Sequence, residues 1–357
     1  MNRKRTRPNW FRIILLCLLV LGGTYVNRFI IPTQASPFVD TPTPTRAPES
    51  YITEAQEYFQ QGKLIPAIAS YKQAIVARPE DPTTHIALAR VQVWAGQYED
   101  AKISAEDAIL LSPDNSMAHA VRAWALDFLG EYLDAEASIK RALELDPNNA
   151  LAHAYHVEIL VDSYYNGTGS FDGIELAVEK SRVAISLDPN AVETHRARGI
   201  ILEATQNYEE AIREFEAAVA INGNIPDLHI SLGNNYRALG IYDQAVEQFT
   251  LADALNPNDH TPDLLISRTY ATIGEYAKAM QYAESAVENN PTDANLHGNL
   301  GVMYYRNLYW PDAIIEFDYV VNGGITEDGQ QIEALNLVPN APRIAEYYFT
   351  YGLALHA

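Results

Sequence analysis

The same residue types return every 34 positions through most of this chain, and a period of that length leaves few folds open. The stretches AIASYKQAIVARPED, DAKISAEDAILLSPDN, DAEASIKRALELDPNN, QAVEQFTLADALNPND and KAMQYAESAVENNPTD recur in register. With Pro48 as the first slot, units occupy 48–81, 82–115, 116–149, 150–191, 192–225, 226–259, 260–293 and 294–322; the fourth is 42 residues long and carries eight extra. Slot 20 is alanine in all eight units: Ala67, Ala101, Ala135, Ala177, Ala211, Ala245, Ala279 and Ala313. Slot 8 is small in seven of them, slot 27 is alanine in seven, and six units have proline at slot 32. Small side chains at these spacings let two helix axes approach to about 8–10 Å. The proline then stops the second helix, because it lacks an N–H and clashes one turn back. Aromatic residues at slot 17 (Tyr98, Tyr132, Tyr208, Tyr242, Tyr276, Trp310) are placed to plug the seam between helices. No alternating strand pattern occurs, and Gly62, Gly96, Gly130, Gly240 and Gly274 fall at turns. One helix pair cannot bury its apolar stripe alone, so the units must stack.

This register resembles the tetratricopeptide repeat over about 48–322. The resemblance implies an all-α, right-handed superhelical solenoid of stacked antiparallel helix pairs, helix A followed by helix B. It also implies a concave groove lined by slots 2, 5, 9, 12 and 13 of helix A, where a protein or peptide ligand binds. Those slots hold Arg90 and Trp94, then Trp124, Asp127 and Phe128, then Arg196, Asn234, Arg237, Arg268, Tyr305 and Arg306. Arginine beside tryptophan suits peptide recognition, both being enriched in binding hot spots; the alternative is that the arginines offset neighbouring carboxylates. Two patterns known in relatives are missing. The asparagine ladder at slot 6 survives only at Asn299, and Ile52 and Gln56 stand where a chaperone-binding clamp has Lys and Asn.

Charge is unevenly placed. Residues 1–46 hold seven of the 25 basic residues and one acid, Asp40, which leaves 18 basic against 45 acidic residues in the body, a net of −27. Such a body excludes nucleic acid as its main partner, since phosphate binding needs basic stripes. The single cysteine, Cys17, excludes a disulfide framework. The basic leader opens an apolar segment from Trp10 to Ile31, broken only by Arg12, Asn27 and Arg28. We read residues 1–31 as a cytoplasmic basic tail and transmembrane signal-anchor helix, with membrane contact through residues 10–31. A signal cleaved near Thr33-Gln34-Ala35 is the alternative. The positive-inside bias then predicts a single-pass protein, its N-terminus cytoplasmic and its repeats on the other side. Residues 32–47, rich in proline and threonine, read as an extended spacer.

Six histidines share slot 4: His85, His119, His153, His195, His229 and His297. Equivalent positions in stacked repeats lie about 10 Å apart, too far to share one metal ion, so packing is the expected role. His153 and His156 share a helix face and make half a metal site at most. The extra residues of unit four, in VDSYYNGTGSFDG, read as an exposed, elongated turn containing the sequon Asn166-Gly167-Thr168. No nucleotide, metalloprotease or hydrolase motif occurs, so neither an enzyme nor a cofactor is expected. After Val320 the pattern dissolves into an irregular connector over 323–342, and 343–357 resumes as a partial ninth helix A with aromatic residues around most of its circumference. That end suggests a fragment, and with it the alternative that the repeats dock substrates for a catalytic domain beyond residue 357. The leading expectation is a membrane-tethered, non-catalytic scaffold; self-association through the repeats is a third.

Overall fold

The computed structural model describes residues 10–25, 28, 46–326 and 329–357, which fall into two units, one within 1–46 and one over 47–357. The first contains α1 (Trp10–Tyr25), whose Leu15, Leu16, Leu18, Leu19 and Leu21 are exposed. Its 16 residues reach about 24 Å at 1.5 Å per residue, short of a hydrocarbon core of about 30 Å. Among the described residues no helix is long and apolar enough to cross a membrane, so the spanning helix expected over 10–31 is not found there. The remainder of that segment, apart from Arg28, and the spacer up to residue 45 lie outside the described residues.

The second unit is a stack of helix pairs. They are α2 (Pro48–Gln60) with α3 (Leu64–Ala77), α4 (Pro82–Trp94) with α5 (Tyr98–Leu111), α6 (Ser116–Phe128) with α7 (Tyr132–Leu145), and α8 (Ala150–Asn166) with α9 (Gly173–Leu187). There follow α10 (Val192–Ala204) with α11 (Tyr208–Ile221), α12 (Pro226–Ala238) with α13 (Tyr242–Leu255), α14 (His260–Thr272) with α15 (Tyr276–Asn289), and α16 (Ala294–Arg306) with α17 (Trp310–Asn322). All eight slot-20 alanines are fully buried. Slot 34 caps the next helix A: Asp81, Asn115, Asn149, Asp259 and Asp293 each accept a hydrogen bond from a backbone N–H of the first turn. The turn between helices A and B needs a left-handed residue at slot 15. Glycine supplies it at five repeats, while Gln206 (φ 60°) and Leu308 (φ 67°) adopt the same conformation with a side chain.

Slots 8 and 24 are matched in size at three seams. Where slot 8 is glycine, slot 24 is phenylalanine, and a Cβ on Gly199, Gly233 or Gly301 would stand 2.7, 2.5 or 2.9 Å from the ring of Phe215, Phe249 or Phe317. The slot-4 histidines do more than pack. In all six, Nε2 donates to the carbonyl of the residue six places earlier, at 2.8–3.2 Å, tying helix A to the end of the preceding helix B. His195 and His297 also turn Nδ1 to Glu214 and Glu316. Burial opposes it, but Glu316 and the Pro291 carbonyl hold the His297 pKa up. His156 pairs with Glu136 at 3.2 Å, and no three metal-ligating side chains gather among the described residues.

Curvature is unequal along the stack. The A helices α4, α6, α8 and α10 pack directly on one another, whereas α10 with α12 and α12 with α14 barely meet. The close half is rich in small residues: Ala118 and Ala120 of α6 and Ala152 and Ala154 of α8 are fully buried, which lets helix axes approach. The extra residues of unit four lengthen α8 to 17 residues before Gly167 ends it in the left-handed region; only the stretch after it forms the exposed turn. The tight half comes round on itself. Asn224 donates to the carbonyl of Gln60 at 2.9 Å, and Asn222 to that of Phe59 at 3.5 Å, so the first repeat docks on the junction of the fifth and sixth. At the other end Gly324–Ile325 and Gln331–Ile332 pair as a short antiparallel hairpin, β1 and β2, within the stretch expected to be irregular. The last helix, α18 (Pro342–Ala354), packs on α16 and α17. Its Tyr347 is buried against Gly298, where a Cβ would stand 2.4 Å from the ring. Phe349 and Leu353 remain exposed.

Candidate functional site

The concave face divides into a closed half and an open half. In the closed half, Trp94, Trp124 and Arg196 are buried, and Arg90 and Phe128 are half-buried against them. Trp124 stacks on Tyr155 at 4.3 Å and meets the edge of Trp94 at 5.1 Å. Its indole N–H donates to Glu158 Oε2 at 2.9 Å. Glu158 also pairs with Arg196, whose Nε donates to Asp227 Oδ2 at 2.9 Å. The same guanidinium lies 5.5 Å from the Trp94 ring and 5.8 Å from that of Phe128. Arg90 reaches across the closed turn to Glu193, which is fully buried, with Nε–Oε1 at 2.6 Å. Despite burial, these carboxylates hold Arg90 and Arg196 protonated well above the usual range.

Of the residues expected at the groove from their slots, Trp94, Trp124 and Arg196 are buried here, and Arg90 and Phe128 are half-buried beside them. They line a superhelical turn that Trp124, Glu158 and Arg196 partly fill, with Arg90 and Trp94 also bordering clefts at its ends. Breaking one partner of such a pair costs about 3–5 kcal/mol, because the other charge is left buried and unpaired. The carboxylates responsible occupy the same A-helix slots: Glu158 at slot 9, Glu193 and Asp227 at slot 2. The register therefore held the signal. It becomes legible only when complementary charges several repeats apart are set against one another, because each repeat taken alone shows one partner of the pair.

In the open half, α12, α14, α16 and α18 each contribute an arginine to one pocket of 420 Å³: Arg237, Arg268, Arg306 and Arg343. Asn234 accepts from Arg237 Nη2 at 3.1 Å and thereby orients it. Arg306 lies over the Tyr276 ring at 5.7 Å, and Asn299 is fixed by a 2.9 Å bond to Ser267. Asn234, Arg237, Arg268 and Arg306 were expected at the groove from their slots. Arg343 was not, since it precedes the first slot of the ninth helix and only the docking of α18 brings it to the pocket. Burial, and then the neighbouring charges of Arg268 and Arg343, push the Arg237 pKa down. Glu346, 3.7 Å from Arg343, is the one carboxylate lining the pocket.

The architecture defines a class of protein, the helical-repeat solenoid that presents side chains of successive helices on one face. Within it, this chain is a tetratricopeptide-repeat protein. Four family models, each described as tetratricopeptide repeat, match residues 58–125, 118–149, 192–225 and 227–294, together more than half of the chain. The chain is also similar to several solved structures. A tetratricopeptide repeat protein from Parabacteroides merdae is 17% identical with a TM-score of 0.46, over 72% of this chain and 98% of its own. The structure described as a functional characterization of Pseudomonas aeruginosa pilF is 19% identical with a TM-score of 0.50, over 66% and 96%. The Cut9–Hcn1 hetero-tetramer of APC/C is 16% identical with a TM-score of 0.55, over 81% of this chain and 52% of that one. No curated protein matches this chain. Tetratricopeptide repeats generally bind protein partners and serve as non-catalytic scaffolds.

Proposed function

We propose that the protein is a scaffold that receives a peptide or protein segment in the open half of its concave face, between α12 and α18. The observation that carries this reading is the contrast between halves. Repeats two to five bury Trp124, Arg196 and Glu158 against one another, whereas repeats six to eight and α18 bring four arginines to a 420 Å³ pocket lined by polar and apolar side chains. The working surface is then about half of what the repeat count suggests, and the closed half is the rigid base that holds it.

We also propose a membrane tether at the N-terminus, with the repeats on the extracytoplasmic side. What supports it is the sequence: a basic leader, the exposed apolar face of α1, and a hydrated spacer before the first repeat. To test the binding surface, a random-peptide display library would be selected on the full-length chain in mild detergent. Enriched peptides should lose binding at least about tenfold with Arg268→Glu, and should keep it with Arg213→Glu, an exposed residue already paired with Glu210. No enrichment, or peptides indifferent to Arg268→Glu, would overturn the open half as the binding surface.

A further inference from the structure

Three of the four arginines of the open pocket, Arg237, Arg268 and Arg306, differ from most others in the body in what they lack, Arg343 being paired with Glu346. Arg78, Arg90, Arg122, Arg141, Arg196, Arg198 and Arg213 all pair with carboxylates. Among the described residues no carboxylate lies within ion-pairing distance of Arg237, Arg268 or Arg306, although acids outnumber bases 45 to 18 over the body. Arg182 on α9 also has no carboxylate partner among the described residues, but only at this pocket do three such guanidinium groups converge from three helices. Arg268 sharpens the point. Its Nε is buried and has no hydrogen-bond partner, a donor left open where such groups are almost always satisfied. Like charges brought together at a half-buried site repel, and a ligand of opposite charge relieves that repulsion on binding.

We infer that the occupant of this pocket is an acidic segment of a partner protein, its Asp and Glu carboxylates received by Arg237, Arg268, Arg306 and Arg343. The inference rests on the groove reading above and names the chemistry of its ligand. The planar guanidinium fork matches a carboxylate through two parallel N–H···O bonds. Tyr276, Tyr347 and Met303 give the same pocket an apolar side suited to the stems of a peptide and not to a bare ion. The chain's own spacer is a poor occupant, since Asp40 is its one acid and Arg46 follows it. A compact dianion would bring both its charges close to Glu346 within the pocket, whereas single charges spread along a peptide each meet their own arginine.

The test is fluorescence anisotropy of the full-length chain in mild detergent with a labelled hexapeptide of alternating Asp and Glu. The same peptide in Asn and Gln, and inorganic phosphate as competitor, serve as controls. The acidic peptide should bind at least about tenfold more tightly than its amide counterpart, and more weakly as salt is raised. Arg268→Glu with Arg306→Glu should abolish the preference. Arg268→Lys with Arg306→Lys should keep part of it, since charge survives but the fork does not. Circular dichroism of each variant separates a lost site from a lost fold. Equal binding of the two peptides overturns the inference, and so does phosphate competing at concentrations equal to the peptide. An arginine-dependent dimer without peptide binding overturns it in favour of a second copy. Display peptides that map to Arg268 yet carry no excess of acids would leave the groove reading standing and remove this one.

Discussion

At the scale of single residues, Asp127 shows how the closed half constrains its chemistry. Both carboxylate oxygens are buried with no donor to satisfy them, beside the carboxyl of Asp162. Burial first, then the charges of Asp162 and Glu158, push its pKa well above the usual carboxylate range, against the pull of Arg196. The folded state therefore holds a proton that the unfolded chain releases near pH 3.9. Between those two values the native state binds more protons, so this group's contribution to stability falls as pH rises, by up to about 1.4 kcal/mol per pH unit. Asp127→Asn removes the titration. Melting temperatures of variant and wild type should coincide near pH 4 and diverge above it, with the variant higher at pH 8. A variant that melts lower at pH 8 would show that the pull of Arg196 outweighs burial. The carboxylate at Asp127 was legible from its slot, but its burial was not, because the neighbours that bury it belong to other repeats.

At the scale of elements, the turn at slot 15 separates a local requirement from a tertiary one. Gly62 and Gly96 have nearly the same left-handed backbone, φ 72° and 71°. A Cβ at Gly96 meets nothing within 4 Å, whereas one at Gly62 would stand 2.6 Å from both Cβ and the carbonyl oxygen of Asn224. Alanine at Gly96 should cost about 1 kcal/mol, the price of the left-handed conformation alone. Alanine at Gly62 should cost more by about 1–3 kcal/mol, because it also wedges open the docking of repeat one on the fifth and sixth. Equilibrium urea unfolding of the two variants measures the difference. Equal costs would mean that the closed turn contributes little to stability. Glycine at slot 15 is readable as a turn signal in every repeat; which of those glycines is also an interface is not.

At the scale of the whole molecule, the sequence assigns a job to each end of the chain, and the proposed tether is testable without knowing the partner. Full-length protein expressed in bacteria should stay with the membrane pellet through alkaline carbonate extraction. Replacing Leu15, Leu18 and Leu19 by Glu, all three exposed on α1, should release it to the supernatant. Wild-type protein found in the supernatant would remove the tether. The far end carries a second lesson. Gly298 occupies a groove slot, and its missing side chain makes room for Tyr347, so α18 covers the last repeat and carries Arg343 to the pocket. A run of aromatic residues that looks unfinished in sequence is thus partly buried by docking.

What the sequence determined by itself is the repeating unit: the positions of helices, caps and turns, and the alanines that seat one helix on the next. Those features depend on residues close together in the chain or one period apart, so a single register displays them. Only the tertiary structure decided which part of the concave face is a surface. The A helices of repeats two to five pack directly on one another, and a carboxylate 103 positions away reaches its arginine across the turn they make. Curvature is a sum of small differences at each helix contact, and no one repeat records that sum. The same slot therefore yields a buried ion pair at Arg90 and an open cation at Arg268.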